Sequence, residues 1–162
     1  MINVRKGNAH SLAQTDFLGV VNAHSDSGPV TAGMIVAKHP TTGELRPVMW
    51  PHETDHLVGF AITNQNEGDA IESGKLGAYA LDGSSVIETD QFSGGPYTAA
   101  DVGKIVVWDG VTPGVVAVVS QNDVNGRRVY GYVYDAPRSI FVGFTPTTVL
   151  PIQLAPMTVV GN

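Results

Sequence analysis

Two histidines flank an acidic stretch in the segment His52-Glu53-Thr54-Asp55-His56. The segment matches the H-E-x-x-H pattern, in which two histidines on one helix face bind zinc and the glutamate activates a water molecule. That chemistry needs a helix of several turns, whereas Trp50-Pro51 before the segment and residues 57–62 after it are typical of extended chain. No convincing third ligand follows it. The sequence therefore favours a polar loop, with a catalytic or structural zinc contact as the alternative.

Other catalytic patterns are missing from the sequence. There is no cysteine nucleophile, no G-x-S-x-G elbow for a catalytic serine, and no glycine-rich phosphate loop between a strand and a helix. The acidic pairs Glu67/Asp69 and Asp82/Glu88 could act as general acid and base, but their settings are those of residues that solvate turns. We therefore predict that the protein is not an enzyme and binds no cofactor or metal.

Three tyrosines recur at every second residue near the end of the chain, as Tyr130, Tyr132 and Tyr134. In a strand this spacing places all three on one face, opposite Val129, Gly131 and Val133. Such a row could bind a glycan or a protein partner, since tyrosine is favoured at interfaces, or could be a cross-strand aromatic row that covers the sheet. Both interpretations stay open at this stage.

The elements that would position these residues are short strands. Runs rich in Val and Ile are separated by Gly, Pro, Asn and Asp, and Asp82-Gly83 is a strong hairpin signal between residues 76–81 and 85–88. One helical turn is expected at Thr98-Ala99-Ala100-Asp101, which resembles a capping box. The predicted fold class is all-β, a β-sandwich or barrel of the β-tulip type with minimal helix.

The same order of elements occurs twice. A Thr-Ala lead-in, an apolar strand, a turn-rich middle and an apolar strand with one internal glycine fill residues 29–63, and a second such series begins at Thr98-Ala99. Gly59 and Phe60 match Gly131 and Tyr132 in this alignment. We predict a polar N-terminal arm, residues 1–28, followed by a β domain, residues 29–162, built from two related units at about 29–90 and 97–154.

Composition restricts the class of partner. The 162 residues carry a net charge of −6, with 43% hydrophobic and only 15% charged residues, so there is no basic surface for nucleic acid. There is no cysteine and no apolar run long enough for a membrane span, and the N-terminus lacks the apolar region of a secretory signal. These features predict a soluble protein that is made in a cytoplasm and contacts neither membrane nor nucleic acid.

Four short segments carry a resemblance to a known family. The sequence resembles head decoration (cement) proteins of tailed bacteriophages, which often show a T/K-A-G-x-x-V strand, a V-G-x-A strand and an acidic turn into a further strand. The similarity covers about residues 29–137, and the matching segments are Thr31-Ala32-Gly33-Met34-Ile35-Val36, Gly59-Phe60-Ala61-Ile62, Glu67-Gly68-Asp69-Ala70-Ile71 and Gly131-Tyr132-Val133.

The resemblance implies a structural virion protein on the capsid exterior. Its partner would be the major capsid protein, and it would be a homotrimer or another homo-oligomer; a duplicated unit would let a dimer imitate a larger ring. Many copies would bridge capsid subunits and so stabilise the expanded shell, because each binds only the assembled state. The residues predicted to contact the capsid or another subunit are Phe17, Leu18, Val20, Trp50, Tyr130, Tyr132 and Tyr134.

Two other functions stay open. The chain could be a receptor- or glycan-binding β module of a phage spike or fibre, using exposed aromatic residues such as Tyr132 or Trp108. It could also be a zinc hydrolase built on His52, Glu53 and His56, although the local sequence is unfavourable. Under the capsid hypothesis, the arm of residues 1–28 reaches the shell or a neighbouring subunit, and its deletion is expected to abolish capsid binding while leaving the β fold intact.

Overall fold

The protein is an all-β chain. The computed structural model describes residues 2–6, 17–21, 30–38, 45–49, 56–62, 70–71, 75–80, 86–124 and 127–159. Two 3₁₀ turns, Ala99–Asp101 and Gln121–Asp123, are the helical elements of this described part. The strands are β1 Ile2–Lys6, β2 Phe17–Val21, β3 Val30–Thr31, β4 Ile35–Lys38, β5 Leu45–Pro47, β6 His56–Ile62, β7 Ala70–Ile71, β8 Lys75–Ala80, β9 Val86–Thr89, β10 Ile105–Trp108, β11 Val116–Val119, β12 Arg128–Val133, β13 Arg138–Val142 and β14 Thr145–Val159.

The strands form a larger sheet and a closed barrel. Within the described residues, the larger sheet has the order β1-β9-β14-β12-β10-β11, with β13 paired to β14 beside this path. The barrel closes in the order β2-β5-β4-β6-β8, and β3 pairs with β7 in a small separate ladder. All of these pairings are antiparallel except β2 with β5. The all-β class predicted from the sequence is therefore confirmed.

One hydrophobic core joins the barrel to the sheet. Ile35 and Phe60 from barrel strands are at most 1% exposed and belong to the same cluster as Trp108 and Ile152 from the sheet. The Gly114 backbone bridges the two parts, since its N–H donates to the Val48 carbonyl at 2.8 Å and its carbonyl accepts from the Ile35 N–H at 2.9 Å. These bonds satisfy backbone groups that the junction would otherwise bury without partners.

Two three-stranded segments share one order and one register. In the barrel β4 lies between β5 and β6, and in the sheet β10 lies between β11 and β12. The β4–β6 ladder pairs Ile35 with Phe60 and Val36 with Gly59. The corresponding β10–β12 pairs are Ile105 with Tyr132 and Val106 with Gly131. The predicted correspondence of Gly59 with Gly131 thus describes equivalent ladder positions. We name these segments the first unit (β4, β5, β6) and the second unit (β10, β11, β12).

The turns that lead into the two units also match. Residues 31–34 and residues 101–104 are each closed by a hydrogen bond from the fourth N–H to the first carbonyl, at 3.1 and 3.0 Å. The third residue of each turn, Gly33 or Gly103, has φ of 92° or 85°, where glycine is favoured. Its N–H donates to the returning strand, to Ala61 or to Val133, at 2.9 and 2.8 Å. Equivalent lead-ins therefore begin at Thr31 and Asp101.

Two local predictions about the second lead-in have different outcomes. The capping box is confirmed, since the Ala100 N–H donates to Thr98 Oγ1 and the Thr98 N–H donates to an Asp101 carboxylate oxygen. The alignment of Thr31-Ala32 with Thr98-Ala99 is wrong by three residues. That alignment rested only on the dipeptide Thr-Ala, which occurs in both segments. The turn geometry depends instead on the glycine at the third residue of each turn.

Other predictions about elements need correction. β8 pairs with β2 and β6, and β9 pairs with β1 and β14, so the hairpin predicted around Asp82-Gly83 is wrong. Long-range pairing overrode this local turn signal. β9 falls inside the predicted unit at about 29–90, but it lies in the larger sheet and not in the barrel. The described parts of the predicted arm, Ile2–Lys6 and Phe17–Val21, are strands of the sheet and the barrel, so deleting residues 1–28 would remove both.

Candidate functional site

The H-E-x-x-H segment is described only at its last residue. His56 begins β6 and pairs with Lys38, so the second histidine lies on a strand and not on a helix. His52, Glu53, Thr54 and Asp55 lie outside the described residues. In the described part of the chain, no group of three or more His, Cys, Asp or Glu side chains could hold a metal ion.

Several described carboxylates hold turns in place. Asp101 Oδ2 accepts from the Thr98 N–H and Oδ1 accepts from Lys104 Nζ, each at 2.7 Å, and the Lys104 bond, followed by the Thr98 bond, lowers the pKa of Asp101. Asp109 Oδ1 accepts from the N–H groups of Val111 and Thr112, both at 2.8 Å. These bonds are the side-chain-to-backbone contacts by which Asp stabilises turns.

Glu88 is a different case, and its predicted role in a turn is wrong. It lies within β9 with a fully buried side chain, and its carboxylate accepts two bonds from Arg138, at 2.8 Å from Nε and 2.7 Å from Nη2. Bidentate, charge-assisted bonds of this kind are among the strong hydrogen bonds of a carboxylate. Glu67, Asp69 and Asp82, the other acidic residues considered, lie outside the described residues.

The tyrosine row is broken at its first member. Tyr130 is 1% exposed and belongs to the main core together with Val133, three residues later. Strict alternation would place residues three apart on opposite faces. The β12–β14 ladder shifts its register between Val129 and Gly131, and such a bulge changes the face to which a side chain points. The prediction that the three tyrosines share one face is therefore wrong for Tyr130, which is a core residue.

The other predicted contact residues are placed as follows. Tyr132 lies on β12 and Tyr134 directly follows that strand, and each is 39% exposed. Phe17, Leu18 and Val20 lie on β2, where Phe17 pairs with Ala78 and Val20 with Leu76 in the barrel. Trp50 lies outside the described residues. Of the seven predicted residues, Tyr132 and Tyr134 are the ones that the described structure presents to solvent.

Among the described residues, the most exposed aromatic side chains lie on a hairpin that the sequence analysis did not identify as a candidate site. β13 pairs with the first part of β14, from Arg138 with Val149 to Val142 with Thr145, and we name residues 138–149 the hairpin arm. The ladder of β14 with β9 begins only at Leu150. The five residues before it therefore extend beyond that ladder by roughly 16 Å at the usual strand rise.

The hairpin arm exposes apolar side chains at and near its tip. Phe141 is 76% exposed and Phe144 is 102% exposed, and Gly143, with φ of 60°, makes the turn between them. No charged residue follows Arg138 in the sequence. Large apolar side chains that are exposed close together are typical of surfaces that are covered by a partner.

The Glu88–Arg138 pair fixes the root of the hairpin arm. Arg138 is the first residue of β13, and Glu88 lies on β9, the neighbour of β14 in the sheet. Breaking such a pair leaves the carboxylate buried without its bidentate partner, so the geometry resists movement of Arg138. The arm is therefore anchored to the sheet at one end and exposed at the other.

Two signals in the sequence could have identified this arm. The run Phe141-Val142-Gly143-Phe144 places a glycine between apolar residues, which is a hairpin signal when β-branched residues flank it. An acidic residue inside the apolar strand Val86–Thr89 also needs a cationic partner, and Arg138 is the last cation of the chain. Neither signal could show that the arm extends beyond the sheet, since that depends on where the β9 ladder ends.

Comparison with known proteins identifies no relative. A scan against models of protein families, a search of curated proteins and a search of solved structures each returned no match to this chain. The resemblance to decoration proteins therefore stays a prediction. In the described part of the structure, no helix has the length and apolar character needed to cross a membrane.

Proposed function

We propose that this chain is a structural virion protein that binds the outer surface of a phage capsid and stabilises the expanded shell by bridging capsid subunits. The observation that carries the proposal is the hairpin arm, which is rooted in the sheet by a bidentate ion pair and has Phe144 fully exposed at its tip. An arm that is anchored at its root and has an apolar tip suits attachment to another protein, because the anchor reduces the conformational entropy lost on binding.

The bonds of the described carboxylates support a mechanical role. Described carboxylates such as Asp101 and Asp109 hold turns, and Glu88 holds the root of the arm, so their bonds serve the framework. A stabiliser of this kind adds binding free energy only to the assembled shell. Many weak contacts of this type shift the balance between assembled and disrupted capsids by mass action.

The proposal is tested by co-sedimentation of the purified protein with expanded capsids of its source particle, titrated to saturation. We expect binding that saturates at a simple ratio to the major capsid protein. Phe144→Ser should weaken this binding about tenfold or more, as expected for a buried aromatic anchor. Val111→Ser is the matched control, because Val111 is also highly exposed, at 84%, but lies in the loop between β10 and β11.

Two results would contradict the proposal. One is the absence of binding to both expanded and unexpanded shells. The other is equal weakening by Phe144→Ser and Val111→Ser, which would remove the arm from the contact even if the protein does bind capsids.

A second candidate function rests on Tyr132, on β12, and Tyr134, directly after that strand, which are each 39% exposed. Exposed tyrosines two residues apart suit the stacking contacts of a glycan-binding module. Under this candidate, saturable glycan binding would be lost in Tyr132→Ala, while capsid co-sedimentation would be absent. Glycan binding that persists in Tyr132→Ala would count against it.

A further inference from the structure

We propose that β13 is a self-association edge, along which β13 of one molecule pairs antiparallel with β13 of a second copy of this chain. The two hairpin arms would then form one four-stranded sheet across a twofold axis. This inference rests on the proposed function in treating the hairpin arm as a protein-binding surface. It goes further by naming a second copy as the partner of the β13 edge, while the Phe144 tip remains the proposed shell contact.

On one side of β13, the backbone N–H and C=O groups have no partner strand among the described strands. Among the described strands, β13 pairs with β14 alone, over all five residues from Arg138 to Val142. In an antiparallel pair, alternate residues of an edge strand direct N–H and C=O groups away from the partner strand. β13 contains no proline, whereas Pro146 removes a donor from the facing part of β14. The β13 side is therefore the edge of the arm that can accept another strand.

The outer edge of β11, in contrast, is covered by its own chain. The Val116 N–H donates to the Gln91 carbonyl at 3.1 Å, and the Val116 carbonyl accepts from the Ser93 N–H at 2.8 Å. Further along, the Val118 N–H donates to the Tyr97 hydroxyl at 3.1 Å. These contacts protect β11 from pairing with another molecule.

The outer strand at the other side of the sheet carries charge. β1 contains Arg5 and Lys6 in its five residues, and charged residues on edge strands oppose pairing between molecules. Beyond Arg138, β13 has neither protection: no charged residue follows in the arm, and no covering segment is found in the described part of the chain.

The charge of the chain favours contact through this arm when the partner is a second copy. With a net charge of −6, two molecules repel each other when their bodies approach closely. The arm extends roughly 16 Å beyond the β9 ladder, which is longer than the Debye length of about 8 Å at physiological salt. Two arms can therefore meet while salt screens the repulsion between the acidic bodies. Residues 139–149 contain no charged residue, so no like charges face each other within this part of the two arms.

The side chains of β13 are compatible with self-pairing. Pairing centred on Ile140 would place Ser139 of one strand opposite Phe141 of the other, with the two Phe141 side chains as diagonal neighbours. The two Phe141 side chains would bury together roughly 300–500 Å². This area is below that of standard specific interfaces, and the main-chain hydrogen bonds of the added strand supplement it, so we expect a weak, reversible dimer.

The experiment is sedimentation equilibrium of the full chain across a wide concentration range, without capsids. We expect a reversible monomer–dimer equilibrium. Phe141→Lys and Phe141→Glu should each be monomeric, because like charges meet across the twofold axis, and an equimolar mixture of the two variants should dimerise again. Val111→Lys and Val111→Glu are the matched controls and should associate like the unmodified chain.

A second measurement keeps the proposal testable if the Phe141 variants fold poorly. Hydrogen exchange of the unmodified chain should slow in β13 as protein concentration rises, while exchange in β10 stays constant. A chain that is monomeric at all concentrations, or dimers whose formation leaves β13 exchange unchanged, would overturn the inference. So would Phe141→Lys that is folded and dimerises normally. Because no capsid is present, these outcomes are independent of the co-sedimentation result.

Discussion

The first and second units have the same strand order and ladder register, but different neighbours cover them. In the first unit the face that carries Ile35 and Phe60 is buried against the larger sheet, and Phe60 is 1% exposed. In the second unit the equivalent face carries Ile105 and Tyr132. Ile105 packs in a smaller cluster, while Tyr132 stays 39% exposed. The same ladder position is therefore a core position in the first unit, at Phe60, and a surface position in the second unit, at Tyr132.

The largest effect is expected from truncating these equivalent aromatic residues. Phe60→Ala should lower the free energy of unfolding by about 3–5 kcal/mol, because it leaves a cavity in the shared core. Tyr132→Ala should lower it by about 1 kcal/mol or less, as for other partly exposed residues. Chemical denaturation of both variants measures the difference. Equal losses would show that Tyr132 is as fully packed as Phe60 and that the two units are covered alike.

The next largest effect concerns the junction of barrel and sheet. Gly114 and Gly110 lie in one loop with φ of 70° and 84°, so alanine is strained at both positions. A Cβ at Gly114 would also lie 2.7 Å from Met34 Cβ, whereas a Cβ at Gly110 has nothing within 4 Å. Gly114→Ala should therefore destabilise the chain by about 1–3 kcal/mol more than Gly110→Ala. Similar melting temperatures for the two variants would argue against tight packing at this junction.

A smaller, local effect is expected at the root of the hairpin arm. The side chains of Arg138 and Lys104 are both 44% exposed, but their carboxylate partners differ, with Glu88 0% and Asp101 15% exposed. Arg138→Gln should speed hydrogen exchange in β13 about tenfold, since it removes two charge-assisted bonds from a buried group. Lys104→Gln should leave β13 unchanged. If both variants leave exchange in β13 unchanged, the ion pair does not anchor the arm.

The smallest effect is a pH response confined to the lead-in of the second unit. The pKa of Asp101 lies below its ordinary value of 3.8, mainly because of the bond from Lys104. The stability that the charged carboxylate adds is therefore complete above about pH 3.8 and is lost as the pH falls through the lowered pKa. The equivalent position in the first unit is Thr31, whose N–H donates to the Met34 sulfur. The bonds of Asp101 with Thr98 and Lys104 belong to the second lead-in.

This response is measured by following the backbone amide signals of Thr98 and Thr31 by NMR during acid titration. The Thr98 signal should move with a midpoint below 3.8, while the Thr31 signal should not follow that transition. Asp101→Asn should abolish the Thr98 transition. A Thr98 titration that persists in Asp101→Asn would assign the response to another group.

Local patterns predicted the elements that depend on neighbours in sequence. The β-branched run at Ile105–Trp108 is buried at all four positions, and the capping box at Thr98 forms the expected turn. The hairpin predicted around Asp82-Gly83 failed, because β8 and β9 each have partners elsewhere in the fold. The side chain of Tyr130 could not be placed from spacing alone, since a bulge in a long-range ladder decides its face.

Candidate site residues were only partly predictable, for a related reason. Tyr132 and Tyr134 were identified from their spacing, whereas the hairpin arm was not, because strand composition does not show where a strand leaves its sheet. Glu88 was assigned to a turn because its partner Arg138 lies far away in the sequence and is brought near only by the fold.

By itself the sequence determined the all-β class and the repeated order of a glycine turn, a strand and a glycine-containing return strand. These features follow from local backbone preferences and side-chain patterning, which act over a few residues. Only the tertiary structure decided that Phe60 is buried while Tyr132 is exposed, and that β13 and β14 extend beyond the sheet. Burial depends on which distant strands pack nearby, and that information is spread over the whole chain.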